Sequence, residues 1–157
     1  YCNSCGLAMS PFNAWQLLSG VETLSLRMEK QYDNALKIAQ WLKEQPQVQA
    51  VYYTGLPDHP QAELIRKQQN GGGIVIGFEV ADQEAAWKIV DGVELFSRTA
   101  NLGDVRSTIT HPWTTTHGRM QPEEKLAANI RPGLVRLSVG LEYVDDLIED
   151  LKQVLNK

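Results

Sequence analysis

Arg136 is the side chain in this sequence with the strongest claim to chemistry. It lies in Leu134-Val135-Arg136-Leu137-Ser138-Val139, an alternating strand pattern with Val135, Leu137 and Val139 on one face and Arg136 with Ser138 on the other. A guanidinium set between apolar neighbours is costly unless a fixed anion compensates it. A surface salt bridge is the plain alternative. Asn101-Leu102-Gly103-Asp104 and Thr114-Thr115-Thr116-His117 supply small hydrogen-bonding groups for the same anion.

The other chemistry-bearing residues make weaker patterns. Cys2 and Cys5 have a C-x-x-C spacing, but no second pair follows. His59, His111 and His117 do not fall where they would complete a zinc site, so reduced thiols and no metal are expected. Gly71-Gly72-Gly73 is followed by no Lys-Ser/Thr and runs into a strand, which reads as a turn and not a phosphate loop. His111 and His117 have no acidic partner nearby in sequence, and structural roles are expected for both. With no nucleophile elbow and no H-E-x-x-H helix, the chain carries no self-contained catalytic apparatus.

The elements that must position Arg136 come next. From 157 residues, 43% of them hydrophobic, one domain burying roughly 70% of its unfolded surface is expected. The balance of 15 basic and 19 acidic side chains gives −4, which disfavours nucleic acid as a partner. The apolar runs fall short of the ~20 residues that cross a bilayer, and no signal peptide is evident, so a soluble protein without a membrane partner is expected. Two cysteines point to no disulfide scaffold, and a cytoplasmic location is the simpler one. A start at Tyr1 reads as a piece of something longer.

Ser10-Pro11 is a helix start, and a short helix to Gly20 is predicted. From Val21 the stripe Leu24, Met28, Tyr32, Ala35, Ala39, Leu42 predicts a long helix that Pro46 ends. Residues 48–53 and 74–80 read as strands, with a polar helix from His59-Pro60 to near Asn70 between them. Asp82 caps a helix carrying Ala85, Ala86, Ile89, Val90 and Val93, and a strand is placed near Leu95-Phe96. Thr99 to Gln121 reads as a long irregular segment of the functional kind. A strand over 134–139 and a helix from Tyr143 to Leu155 close the chain. The predicted fold class is α+β, a small, mostly antiparallel sheet covered by helices on one face.

Ser10-Pro-Phe-Asn-Ala-Trp15, Val51-Tyr-Tyr-Thr-Gly-Leu-Pro-Asp-His-Pro60, Asn101-Leu-Gly-Asp104, His111-Pro112, Thr116-His117 and Leu134-Val-Arg-Leu-Ser-Val-Gly-Leu-Glu142 occur in that order. Together they resemble the C-terminal domain of the Cys/Met-metabolism family of pyridoxal-phosphate enzymes, across nearly the whole chain. The run Ala100 to Pro112 is most similar to the branch that takes O-succinylhomoserine and sulfide, since the lyases and cystathionine γ-synthases more usually carry Ser before Leu-Gly. Trp113 departs from the family's usual small residue after His-Pro.

The resemblance implies a fold-type-I enzyme whose large N-terminal domain holds pyridoxal phosphate on a Schiff-base lysine, in a Ser-x-Thr-Lys-Tyr run upstream of Tyr1. Residues 1–20 would join that domain to a small C-terminal domain over 21–157. The fragment alone would hold no catalytic residue and be inactive. Arg136 resembles the family's substrate-carboxylate arginine, with Asn101 and Thr116 at its supporting positions. The implied reaction is γ-replacement, giving homocysteine from a homoserine ester and sulfide in methionine biosynthesis, by a cytoplasmic homotetramer. The alternatives are an O-acetylhomoserine sulfhydrylase, a cystathionine γ-synthase or lyase, and, from other classes, a stand-alone ligand-binding module or an interaction scaffold in which Arg136 is exposed and salt-bridged.

Overall fold

The computed structural model describes residues 8–156, so Cys2 and Cys5 lie outside the described residues. Five strands form one mixed sheet: β1 (Ala50–Tyr52), β2 (Val75–Glu79), β3 (Ser97–Arg98), β4 (Thr108–Thr110) and β5 (Leu134–Ser138). Their order is β1-β2-β5-β4-β3; only the edge pair β3 and β4 is parallel. Six helices are present among the described residues: α1 (Pro11–Glu22), α2 (Leu24–Lys43), α3 (Ala62–Gln68), α4 (Gln83–Gly92), α5 (Pro122–Ala127) and α6 (Val144–Leu155).

The alternation in β5 does what its pattern demands. Val135 and Leu137 are buried, and across the register Phe78 and Ile76 of β2 and Ile109 of β4 join them on one face. Ala35, Ile38, Ala39 and Leu42 of α2, Ala86 and Ile89 of α4 and Leu147, Leu151 and Val154 of α6 complete this one-sided core. Among the described residues, the opposite face, with Arg136 at its centre, carries no helix layer of that kind.

Two helix starts follow their capping residues. Ser10 Oγ accepts from the Asn13 amide at 3.2 Å, and Asp82 Oδ1 accepts from the Ala85 amide at 2.9 Å. The long helix is shorter than its apolar stripe, because the chain breaks at Thr23 and α1 continues through Gly20 to Glu22. The first half of the stripe is also not core. Val21 is 64% exposed, Leu24 44% and Met28 36%, and burial begins only at Gln31. Helix α1 buries nothing: Phe12, Trp15, Leu18 and Val21 all face outward.

Further departures lie in the second half. The strand expected at Leu95-Phe96 forms at Ser97–Arg98, because buried Asp150 of α6 accepts from the amides of Glu94, Leu95 and Phe96 at 2.9, 2.9 and 3.2 Å and holds them as a turn. The segment read as irregular contains β4, a strand central enough to pair with β5 along its whole length. Helix α5 follows a capping box between Gln121 and Glu124, in a stretch that no periodicity marked.

Candidate functional site

Arg136 sits in the middle of the open sheet face, opposite Gly77 of β2 and Thr110 of β4. Its side chain is half-buried. Nη2 donates to the Ala100 carbonyl at 2.8 Å, its one hydrogen bond among the described residues, and no described carboxylate comes within ion-pair distance. Burial draws the guanidinium pKa down from its ordinary value, yet an arginine stays charged near neutrality. A planar cation with most of its donors unspent remains, and such a group favours a bidentate anion.

The loop that follows β3 is drawn over this face by the strands beneath it. Thr108 Oγ1 donates to the Asn101 carbonyl at 2.9 Å, and the Gly103 amide donates to Ser138 Oγ at 3.2 Å. Gly103 has φ +83°, a turn that a side chain would strain. Asn101 is thus brought beside Arg136 through its neighbour Ala100, with its own side chain exposed. Thr116 stands on the turn after β4. That turn is pinned through Thr115 Oγ1, 3.0 Å from the hydroxyl of Thr110, the cross-strand neighbour of Arg136. Thr116 itself is exposed, and its hydroxyl lies 2.8 Å from His117 Nδ1.

His111 is structural. Its Nε2 lies 2.7 Å from the Pro132 carbonyl, which can only accept, so Nε2 carries the proton. Nδ1 then accepts from Thr114 Oγ1 at 2.8 Å and Trp87 Nε1 at 3.1 Å. Burial pushes the His111 pKa below its ordinary value, which keeps the ring neutral. Trp113 finds a cationic neighbour: the buried Lys125 places its Nζ 4.6 Å from the ring centroid. Among the described residues no group of three His, Cys, Asp or Glu could hold a metal ion. No described helix is long and apolar enough to cross a membrane.

The sequence profile of the Cys/Met metabolism PLP-dependent enzymes matches residues 1–156, and the chain belongs to this family. It is 47% identical over 156 residues to an O-succinylhomoserine sulfhydrylase of Pseudomonas aeruginosa, covering 99% of this chain and 39% of that protein. It is also 47% identical over 153 residues to an O-acetyl-L-homoserine sulfhydrylase of Leptospira meyeri, covering 96% of this chain and 35% of the relative. A Campylobacter jejuni crystal structure assigned as an O-acetylhomoserine (thiol)-lyase, which contains N'-pyridoxyl-lysine-5'-monophosphate, superposes with a TM-score of 0.90 at 41% identity, over 99% of this chain and 37% of that one. The chain therefore spans about two fifths of the length of the relatives it matches.

The family is pyridoxal-phosphate-dependent, and its cofactor-binding lysine run has no counterpart in this stretch of sequence. No Ser-x-Thr-Lys run occurs in the 157 residues. Lys43 and Lys152 pair with Asp58 and Glu149, and Lys125 is committed to Trp113. What the open face offers at Arg136 is a cation with unspent donors, suited to a planar or tetrahedral oxyanion.

Proposed function

We propose that this chain is the substrate-orienting C-terminal part of an enzyme that makes homocysteine from O-succinylhomoserine and sulfide. Residues 1–20 lead from a large domain and residues 21–157 form the small one. Arg136 carries the reading: a half-buried guanidinium, without a described carboxylate partner, on the sheet face that the described helices leave uncovered. A homoserine ester presents a matching carboxylate at its α-carbon. Arg136 would bind that carboxylate through its fork, while Asn101 and Thr116 would supply flanking donors. Their task is orientation, since neither an amide nor a threonine hydroxyl is a proton-transfer group near neutral pH.

When bound by the rest of the enzyme, pyridoxal phosphate would supply an electron sink for exchange of the ester group at the γ-carbon for sulfide, with succinate as the leaving group. Only binding and alignment are assigned to the residues of this chain. The choice of succinyl ester rests on the Ala100-Asn101 run before Leu102-Gly103; overall identity does not separate the ester classes, at 47% for a relative of each name. The exposed apolar side chains of α1 support a continuation of the enzyme against that helix. The intact enzyme is taken to be a cytoplasmic homotetramer, as the family resemblance implies.

The test is to purify the intact enzyme and measure homocysteine formation from both esters with sulfide. A larger kcat/KM for the succinyl ester is expected. Turnover of neither ester overturns the activity, and a preference for acetyl overturns the substrate. The 157-residue chain, dialysed after exposure to pyridoxal phosphate, should keep no cofactor absorbance; stoichiometric retention would contradict a purely orienting role.

A further inference from the structure

We infer that Glu142 is a positioning residue for the Arg136 site, fixing the loop from Ala100 to Ser107 against the end of the strand that carries the arginine. The inference rests on the reading of Arg136 as a carboxylate clamp. The Glu142 carboxylate accepts from the Ser107 amide at 2.7 Å and from the Ser107 hydroxyl at 2.9 Å. That same hydroxyl accepts from the Gly140 amide at 2.8 Å, so Ser107 bonds to the chain just beyond β5 through both of its polar groups. The Leu141 amide donates to the Val105 carbonyl at 2.8 Å and lengthens the seam. A side chain at Gly140 has no room, because its Cβ would collide with the Val105 carbonyl, the Ser107 amide and the Glu142 carboxylate.

Helix α2 closes the latch from the other side. Buried Gln31 donates from Nε2 to both the Asp104 carbonyl (2.8 Å) and the Val139 carbonyl (2.9 Å). One amide thereby ties the loop to the strand. Arg136 touches this loop at Ala100, and Glu142 grips it at Ser107 from the same strand continuation. The loop's position relative to the guanidinium is thus set at two places six residues apart in the β5 segment. A carboxylate grip with two acceptors fits an amide and a hydroxyl donor; a carboxamide at this position would turn an NH2 toward the hydroxyl and oppose its donation.

The experiment uses the intact, cofactor-loaded enzyme and two competitive inhibitors: an amino acid without a leaving group at its γ-carbon, and the carboxamide of that amino acid. Glu142→Gln and Ser107→Ala should each raise the inhibition constant of the amino acid about five- to tenfold, as expected when a bidentate contact is loosened. KM for the ester should rise with it while kcat stays within about twofold, and the constant for the carboxamide should barely move. Ser107→Ala removes a single oxygen, and it keeps the test decisive if Glu142→Gln folds poorly. An unchanged constant for the amino acid, or an equal rise for both inhibitors, overturns the inference. If Arg136→Lys leaves the preference for the carboxylate intact, the clamp itself fails. If Arg136→Lys removes that preference while Glu142→Gln and Ser107→Ala preserve it, only the positioning role of Glu142 fails.

Discussion

Exchanging Arg136 for lysine in the intact enzyme separates a fork from a charge. In the wild-type chain one Nη2 donor is spent on the Ala100 carbonyl at 2.8 Å, leaving the other guanidinium donors for a ligand. A lysine ammonium keeps the cation, but it cannot hold two parallel bonds to a carboxylate while also satisfying that carbonyl in one plane. The variant forfeits one charge-assisted hydrogen bond, roughly 1.5 to 3 kcal/mol. At about 1.4 kcal/mol per factor of ten, kcat/KM for the ester should fall roughly 10- to 150-fold.

Folding should suffer far less. Arg136 has no described ion-pair partner, so lysine loses at most one neutral-acceptor bond to the fold, about 1 kcal/mol. Initial rates over a range of ester concentration at saturating sulfide, paired with thermal unfolding of the same preparation, measure both quantities. Wild-type kcat/KM in the variant refutes the reasoning. A loss of activity matched by an equal loss of folded protein refutes it too, because Arg136 would then be a structural residue.

Three further outcomes are expected. In urea unfolding of the 157-residue chain, Ile38→Ala, at a fully buried site, should cost about 2 to 5 kcal/mol, and Leu24→Ala, at a site 44% exposed, under about 1 kcal/mol; equal costs would contradict the one-sided core. The lowered His111 pKa means that the unfolded chain binds a proton first, so His111 contributes stability above pH about 6.5 that is lost as pH falls toward its folded value; the urea midpoint should drop less between pH 7.5 and 5.5 in His111→Gln than in wild type. Asn101→Ser in the intact enzyme should shift the succinyl-to-acetyl ratio of kcat/KM several-fold, for one hydrogen bond of roughly 0.5 to 1.5 kcal/mol, and an equal loss for both esters would remove the ground for the succinyl assignment.

The features legible in the sequence are those whose cause is local. A hydroxyl or carboxylate at a helix start needs only an amide three residues on, and Ser10 and Asp82 both find theirs. The alternation of β5 needs only a core on one side, and it set Arg136 on the opposite face from Val135 and Leu137. Strand β4 carries no such signal because Thr-Ile-Thr is too short to show a period, and the partner of its central residue Ile109, Leu137 of β5, lies 28 residues downstream. His111 needs no acidic neighbour in sequence, since its partners are a carbonyl 21 residues after it and an indole 24 residues before it. Gln31 carries no sequence signal, and Glu142 closes the Leu134–Glu142 motif without its role being legible, because the partners of both lie on residues distant in sequence.

The apolar stripe of α2 and the outward side chains of α1 carry a different lesson. Periodicity reports that one side of a helix avoids water, and it cannot report which surface provides the shelter. From Ala35 onward the shelter is this chain's own sheet; at Leu24 and before it the described residues leave the large apolar side chains 44% exposed or more. The same division runs through the sheet. Its apolar face closes on α2, α4 and α6, while its polar face is organised by Thr108, Ser138 and the Ser107–Glu142 grip around an arginine. Core and site therefore draw mainly on different contacts, one set apolar and one polar, on opposite sides of β5, and Gln31 and Asn34 of α2 join the two at the end of that strand. Substitutions at Ser107 or Arg136 can displace the site while leaving the apolar core packed, whereas a change at Gln31 should move both the ligand-discrimination and the unfolding assays, because that side chain belongs to the core helix and holds the site loop.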